Sequence, residues 1–122
     1  MTTTVLIVDD SPIARKMLAR SLPPDWDVEI IEAGNGLEAL AQYRLGVVDV
    51  IFLDLTMPEM DGYQVLEVLR SEGLNCIVVV VSADVQEKAR QRVLELGAVA
   101  FVRKPVQAEA LRDVLKLYGV IV

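Results

Sequence analysis

The residues best suited to act together chemically are three aspartates, a serine and a lysine. Each of them lies at the end of a short apolar run, and in chain order they are Asp9 and Asp10, Asp54, Ser82 and Lys104. Carboxylates held within a few ångströms of one another repel strongly, and a hard divalent cation relieves that repulsion. Mg²⁺ suits such a site best, because it takes a few carboxylate oxygens, keeps several waters and shares phosphate oxygens readily. The set predicts a magnesium site if the fold brings these runs side by side.

Apolar runs alternate with segments of helical periodicity along the whole chain. We predict strands at Val5–Val8, Val28–Ile31, Val50–Leu53, Ile77–Val81 and Val99–Val102. We predict helices from Pro12 up to the Pro23-Pro24 pair, and at Gly36–Leu45, Gly62–Ser71, Val85–Leu96 and Gln107–Tyr118. This alternation predicts one α/β domain, with a five-stranded parallel, doubly wound sheet and five helices on its two faces.

Local signals support the helix assignments. Ser11 and Asn35 are typical N-cap residues, and a proline follows Ser11 at the first helical position. In the first helix Ile13, Met17 and Leu18 recur at helical spacing, which predicts an apolar stripe. A similar stripe in the third helix comprises Val65, Leu66 and Leu69.

The fold class also predicts where a ligand site lies. In doubly wound sheets, ligands bind beyond the carboxyl ends of the strands, where the strand order reverses. A single aspartate after a strand is usually a turn or cap residue. An acid pair, an acid, a hydroxyl and a lysine at the ends of the first, third, fourth and fifth strands form a set that turn chemistry alone does not explain.

Composition narrows the function classes. The net charge is −6, with 18 acidic and 12 basic residues, which argues against direct binding of nucleic acid. Histidine is absent, so the commonest general base, the commonest transition-metal ligand and any phosphohistidine role are excluded for this chain.

The cysteine content and the apolar runs bear on compartment. Cys76 is the single cysteine, so no internal disulfide can form, and we expect a buried core thiol and a reducing compartment. The longest apolar run, Ile77–Val81, is far short of a membrane span, and the first run lacks signal-peptide character. We expect a soluble cytoplasmic protein with no membrane partner.

Four segments together resemble the receiver domains of two-component response regulators. They are Val8-Asp9-Asp10-Ser11, Asp54 to Gly62, Val81-Ser82-Ala83 and Lys104-Pro105, and the part from Asp54 to Gly62 is the most specific. The resemblance covers essentially the whole chain, so residues 1–122 are expected to form one receiver domain. It implies a flavodoxin-like sheet with strand order 2-1-3-4-5.

The resemblance also implies a role for each acidic residue. Asp54 corresponds to the phospho-acceptor. Asp10 and Asp54 correspond to direct Mg²⁺ ligands, joined by the backbone carbonyl of Thr56. Asp9 acts on the metal through water. These chemical types fit, because an aspartate can be the nucleophile that forms an acyl phosphate.

The remaining implied roles concern the phosphoryl group and the response to it. Lys104 reaches the phosphoryl oxygens, Ser82 hydrogen-bonds the phosphoryl group, and Phe101 moves inward as Ser82 moves. Phe101 stands where tyrosine is frequent, and Thr56 and Asp84 occupy variable positions that tune phosphoryl lifetime in such domains.

Partners follow from the same resemblance. The phosphoryl donor is expected to be a histidine kinase or a small phosphodonor. The output is expected to be a downstream protein or a fused domain. It would bind the face of the fourth helix, fifth strand and fifth helix, where candidate contacts are Gln86, Arg90, Arg103 and Arg112. The domain is expected to be a monomer or a phosphorylation-dependent homodimer.

Two alternative functions remain open at this point. One is a Mg²⁺-dependent aspartyl-phosphate phosphatase. Such enzymes carry a second acid two residues after the nucleophile, where this chain has Thr56, and they need a cap for which no residues are spare. The other is a receiver that acts only as a scaffold, against which the intact acidic set argues. We therefore favour a self-phosphorylating signalling domain over a turnover enzyme.

Overall fold

The computed structural model describes residues 2–84 and 86–121. Its strands are β1 (Thr3–Val8), β2 (Val28–Ala33), β3 (Val50–Leu53), β4 (Ile77–Ser82) and β5 (Ala100–Arg103). Its helices are α1 (Pro12–Ser21), α2 (Gly36–Arg44), α3 (Gly62–Ser71), α4 (Glu87–Glu95) and α5 (Ala108–Leu117). The strands form one parallel sheet in the order β2-β1-β3-β4-β5, which confirms the predicted fold class and strand order.

The two faces of the sheet carry separate aliphatic cores, because successive side chains of a strand point to opposite faces. Leu6, Val8, Ile51 and Leu53 pack on one face against α2, α3 and α4. Val5, Ile7, Val50 and Phe52 pack on the other face against α1 and α5. β3 and nearly all of β4 are buried on both faces, as the continuous apolar run at Ile77–Val81 predicted.

Helix N-termini fall into two groups. Ser11, Asn35 and Asp61 cap α1, α2 and α3 with side-chain hydrogen bonds, and Asp61 forms a capping box with Gln64. α4 and α5 begin after Gln86 and Gln107, which make no capping hydrogen bond. The two uncapped helices pack on opposite faces of the sheet beside β5.

Strand boundaries differ from the sequence predictions where polar residues continue the ladder. β1 begins at Thr3 and β2 extends to Ala33, because the parallel pairing runs from Thr3 opposite Val28 to Val8 opposite Ala33. Ser82 is the last residue of β4, where it pairs with Arg103, and was not predicted to lie within the strand. α4 begins at Glu87, and the predicted start at Val85 lies outside the described residues.

The predicted apolar stripe of α1 is wrong in part. Leu18 is buried, but Ile13 and Met17 are 72% and 56% exposed. The helix instead turns Leu18 and Ala19 toward the sheet, where they pack with Leu22, which follows the helix. The predicted stripe of α3 is confirmed, because Val65, Leu66 and Leu69 are all buried. None of the helices in the described ranges is long and apolar enough to cross a bilayer.

Cys76 is half-buried at the start of β4, whereas the sequence predicted a buried core thiol. Burial, with a smaller contribution from the charge of Asp49, raises the pKa of Cys76 to about 11. At pH 8 its thiolate fraction, and hence its rate with a disulfide reagent such as DTNB, should be about 100-fold below that of an unperturbed thiol. The rate should return to normal in denaturant, and fast labelling of the native protein would contradict the burial.

Candidate functional site

Three carboxylates meet at the carboxyl edge of the sheet. Val8 of β1 pairs with Leu53 of β3, so Asp9 and Asp54 leave neighbouring strands at the same level. Single carboxylate oxygens of Asp9, Asp10 and Asp54 lie within 4.8 Å of one another. Asp9 and Asp54 are each 6% exposed, while Asp10 is exposed. The predicted convergence of the three acids at the sheet edge is therefore confirmed.

Lys104 lies among these acids. Its Nζ is 2.9 Å from Oδ2 of Asp9 and 3.3 Å from Oδ1 of Asp54. Its backbone N–H donates to the carbonyl of Ser82 at 2.9 Å, which continues the β4–β5 pairing past the end of β5. One ammonium thus contacts two of the three carboxylates, and the cluster keeps an excess of negative charge.

The charges of the cluster perturb the ionisation of its members. Burial and the neighbouring charge of Asp9 raise the pKa of Asp54, against the opposing effects of Lys104 and of a hydrogen bond from the Thr56 backbone. Burial of the Lys104 ammonium lowers its pKa, but hydrogen bonds and charge attraction from Asp9 and Asp54 outweigh burial and leave that pKa raised. The site therefore favours positive charge and resists further negative charge.

The loop after β1 is held on several sides. Oδ1 of Asp9 accepts a hydrogen bond from the Ser11 N–H at 2.9 Å, and the Asp9 N–H donates to the Ala33 carbonyl of β2 at 3.1 Å. Nη1 of Arg15 donates to the Asp9 carbonyl at 2.6 Å. Arg15 could not be identified from the sequence, because its partner is a backbone carbonyl, a group that every residue has.

Ser82 and Phe101 lie on neighbouring strands. Ser82 is 1% exposed, and its Oγ accepts a hydrogen bond from the Asp84 N–H at 3.1 Å. Phe101 pairs with Val80, two residues before Ser82, and is half-buried against the core on the α3–α4 face. Both side chains therefore project from the same face of the sheet.

The loop after Asp54 closes tightly at Gly62. The Gly62 N–H donates to the Leu55 carbonyl at 3.0 Å. A Cβ at position 62 would lie 2.5 Å from the carbonyl oxygen of Asp54 and 2.8 Å from the Cα of Leu55. Only glycine allows this approach, so Gly62 determines how the chain leaves Asp54 and enters α3.

An apolar cleft of about 500 Å³ opens beside Asp54 and Lys104. Its walls come from α1, from the central strands and from the β5–α5 connection, and include Met17, Phe52 and Val106. Asp54, although buried, therefore borders a cleft that is open to solvent.

The donor set fits a hard divalent cation. The three grouped residues offer only carboxylate oxygens, the ligand type that Mg²⁺ and Ca²⁺ prefer. A cation there would offset the negative charge that Lys104 leaves unbalanced. Soft or imidazole-preferring metals lack suitable donors, because the chain has no histidine and Cys76 lies at the start of β4, at the opposite edge of the sheet.

Comparison with known proteins agrees with this geometry. The family model of the response regulator receiver domain matches residues 5–116. The chain is 36% identical over 113 residues to the chemotaxis protein CheY of Listeria monocytogenes, covering 92% of this chain and 94% of that one. It is 36% identical over 115 residues to the sensor histidine kinase RcsC of Salmonella typhi, covering 94% of this chain but only 12% of that protein.

A solved structure gives the same result. The crystal structure of the CheX–CheY–BeF₃–Mg²⁺ complex from Borrelia burgdorferi matches with a TM-score of 0.85 and 32% identity, over 95% of this chain and 89% of that chain. The chain belongs to the response regulator receiver domain family and is a receiver domain of two-component signalling.

The close approach at Gly62 predicts a large cost of adding one methyl group. We expect Gly62→Ala to lower the free energy of unfolding by about 3 kcal/mol, because the two nearest neighbours of the new Cβ are backbone atoms that cannot turn aside. Gly34→Ala is a matched control, because its Cβ would meet nothing nearer than 3.4 Å, and it should change stability by well under about 1 kcal/mol. Urea unfolding measures both, and equal stabilities would refute the packing argument.

Proposed function

We propose that Asp54 accepts a phosphoryl group and that the domain then changes conformation to signal to a partner. The observation that carries this proposal is the placement of Asp54, which is 6% exposed, close to two further carboxylates and 3.3 Å from the Lys104 ammonium. Phosphoryl transfer requires a positioned nucleophile and positive charge for the phosphoryl oxygens, because positioning and electrostatics dominate that reaction. The Lys104 ammonium would supply part of that charge, and a cation held by the carboxylates would supply the rest.

The proposed reaction is a direct transfer. An oxygen of the ionised Asp54 carboxylate forms a bond to phosphorus, and the bond from phosphorus to the donor breaks. In a histidine kinase the leaving atom is an imidazole nitrogen, and in a small acyl phosphate it is an oxygen. The leaving atom keeps the bonding electron pair. An ionised carboxylate needs no general base, which is consistent with a chain that lacks histidine.

We assign the metal to Asp9, Asp10 and Asp54, with the backbone carbonyl of Thr56 as a further ligand and Asp9 acting through water. Mg²⁺ bound there would neutralise charge on the phosphoryl oxygens. Lys104 would supply the second positive charge, because its Nζ already lies between Asp9 and Asp54. These assignments treat the domain as a signalling protein that modifies itself and does not turn over a separate substrate.

The proposed switch begins at Ser82. Its hydroxyl now accepts a hydrogen bond from the Asp84 N–H, and its own proton is available to a phosphoryl oxygen. Movement of Ser82 toward Asp54 would open space on the face of the sheet that Phe101 shares. Phe101 is half-buried and can occupy that space, which would couple the chemistry to β5.

The proposed output face comprises α4, β5 and α5. Only Ala89 and Val93 of α4 are buried, and neither α4 nor α5 has a side-chain N-cap, so this part of the fold is expected to shift at low cost. A depression of about 470 Å³ lies beside Phe101 and α5. A downstream protein or a fused domain could bind there, to a monomer or to a phosphorylation-dependent homodimer.

The candidate contacts on this face are not equivalent. Gln86, Arg90 and Arg103 are exposed, as expected. Arg112 is half-buried, with its Nη2 2.9 Å from Oδ1 of Asp25, because it faces the α1–β2 connection. It is therefore the weakest of the proposed contacts.

The acceptor assignment predicts Mg²⁺-dependent modification by acetyl phosphate. Intact-mass spectrometry should show addition of one phosphoryl group to the wild-type domain, none after Asp54→Asn, and none when Mg²⁺ is removed by chelation. Asp113→Asn is a matched control, since Asp113 is an exposed carboxylate on α5, and it should accept phosphate as the wild type does. Undiminished labelling of Asp54→Asn would place the nucleophile elsewhere.

The switch assignment predicts where hydrogen exchange changes. In the presence of Mg²⁺ and beryllium fluoride, amide exchange should change across residues 86–96 and 100–117, beyond the loops that hold the site. Ser82→Ala should bind the same mimic yet show a weaker change in those segments, because it lacks the responding hydroxyl. A response confined to the loops around Asp9, Asp54 and Lys104 would show that this face is not the output face.

A further inference from the structure

Arg15 links three elements around the acid pair. It lies in the first turn of α1, and its side chain is 17% exposed. Nη1 donates to the backbone carbonyl of Asp9, just after β1, at 2.6 Å, and Nε donates to Oε1 of Glu32 on β2 at 2.7 Å. The guanidinium therefore spans the end of β1 from the helix to the edge strand of the sheet.

We propose that Arg15 is a positioning residue for the cation site, which fixes the peptide group between Asp9 and Asp10 and so orients the Asp10 carboxylate. This inference rests on the proposed function, because it assumes that the three carboxylates hold a divalent cation. It assigns to Arg15 an effect on cation affinity that acts through the backbone, without contact between Arg15 and the metal.

The need for a positioning group follows from the exposure of Asp10. Asp9 is held by its own side chain, which accepts hydrogen bonds from the Ser11 N–H and from Lys104. Among the described residues, no side chain or backbone group hydrogen-bonds the Asp10 carboxylate, which is exposed. Its orientation therefore depends on the peptide that precedes it, and the carbonyl of that peptide is the group that Arg15 holds.

Stability alone does not explain this arrangement. Glu32 has a side chain that is 53% exposed, and surface ion pairs of this kind contribute little to folding. Glu32 does, however, accept a hydrogen bond from Nε of Arg15. Because the guanidinium is planar and rigid, this bond fixes the direction in which Nη1 donates to the Asp9 carbonyl. The pair thus orients the peptide more than it stabilises the domain.

The sign of the effect separates positioning from simple charge. A positive group near a cation site repels the cation, so on electrostatic grounds alone removal of Arg15 should tighten Mg²⁺ binding. If Arg15 positions Asp10, its removal should weaken Mg²⁺ binding instead. Loss of a group that orients a metal ligand typically weakens metal affinity by about 10-fold to 100-fold.

The test measures the Mg²⁺ dissociation constant by amide NMR titration of the wild type, Arg15→Met, Arg15→Lys and Lys16→Met. We expect Arg15→Met to bind Mg²⁺ about 10-fold more weakly. Arg15→Lys should be intermediate, because it keeps the positive charge but cannot donate to Glu32 and to the Asp9 carbonyl in the fixed geometry of a guanidinium. Lys16 is the matched control, because it is the next residue of α1 and carries the same charge, but its side chain is exposed to solvent. Lys16→Met should bind as the wild type does, or slightly more tightly.

A kinetic split adds a second readout. At saturating Mg²⁺ the rate of phosphorylation by acetyl phosphate should be within about twofold of the wild-type rate for Arg15→Met, while the Mg²⁺ concentration for half-maximal rate rises about 10-fold. Unchanged or tighter Mg²⁺ binding by Arg15→Met overturns the inference. If Arg15→Met proves unfolded by circular dichroism, Arg15→Lys and Glu32→Gln decide the question, each with a smaller weakening expected.

A measurement without metal distinguishes failure of this inference from failure of the proposed function. In metal-free protein, Arg15→Met should shift the amide nitrogen resonance of Asp10, because that nitrogen belongs to the same peptide group as the Asp9 carbonyl, which loses its hydrogen-bond donor. An unchanged nitrogen resonance at Asp10 overturns the inference, whatever the Mg²⁺ affinity of the variant proves to be. If Asp10 changes but the wild type binds no Mg²⁺, the peptide is held as described and the proposed metal site is wrong.

Discussion

Asp9, Asp10 and Asp54 bring carboxylate oxygens within 4.8 Å of one another at one edge of a sheet. Two unit charges at that separation repel by on the order of 3 kcal/mol at the effective dielectric constant suited to sites near a protein surface. This is a large share of the 5–15 kcal/mol by which a typical domain is stable. Lys104 offsets part of the repulsion, and a bound cation would offset the rest. The same imbalance makes the region respond when charge is added or neutralised.

The sheet can hold this unfavourable cluster because its centre is rigid. Val5, Leu6, Ile7 and Val8 of β1, and all of β3, are at most 1% exposed, and both faces are covered by helices. Side chains that end such strands cannot move apart without disturbing two cores. The rigid centre also contrasts with the edge at β5, where the flanking helices α4 and α5 begin without caps. The sheet is thus rigid where the carboxylates meet and less constrained beside β5. This arrangement suits a domain in which a local change of charge alters the conformation of its surface.

Much of this could be predicted from the sequence because the signals are local. Four or five apolar residues in a row predict a buried strand, and the residue that ends each run must lie at the sheet edge. The register of Val8 opposite Leu53 could not be read this way, since it depends on how two cores pack together. Ile13 and Met17 were assigned to the wrong side of α1, because Leu18, Ala19 and Leu22 form an overlapping stripe with the same period. Arg15 was missed because it binds a backbone carbonyl, and every residue has one whatever its side chain.

Lys104 and Asp9 are 95 residues apart in the chain, yet they form one of the central contacts of the site. During synthesis the ribosome delivers all three aspartates well before Lys104 emerges, so a nascent chain can carry the carboxylates without their ammonium partner. In the complete chain, closing so long a loop costs chain entropy before the contact can form. The chain segment that follows the last strand therefore completes the charge balance of the acidic cluster. A chain that is only partly made or partly folded carries the three carboxylates without the ammonium that contacts two of them.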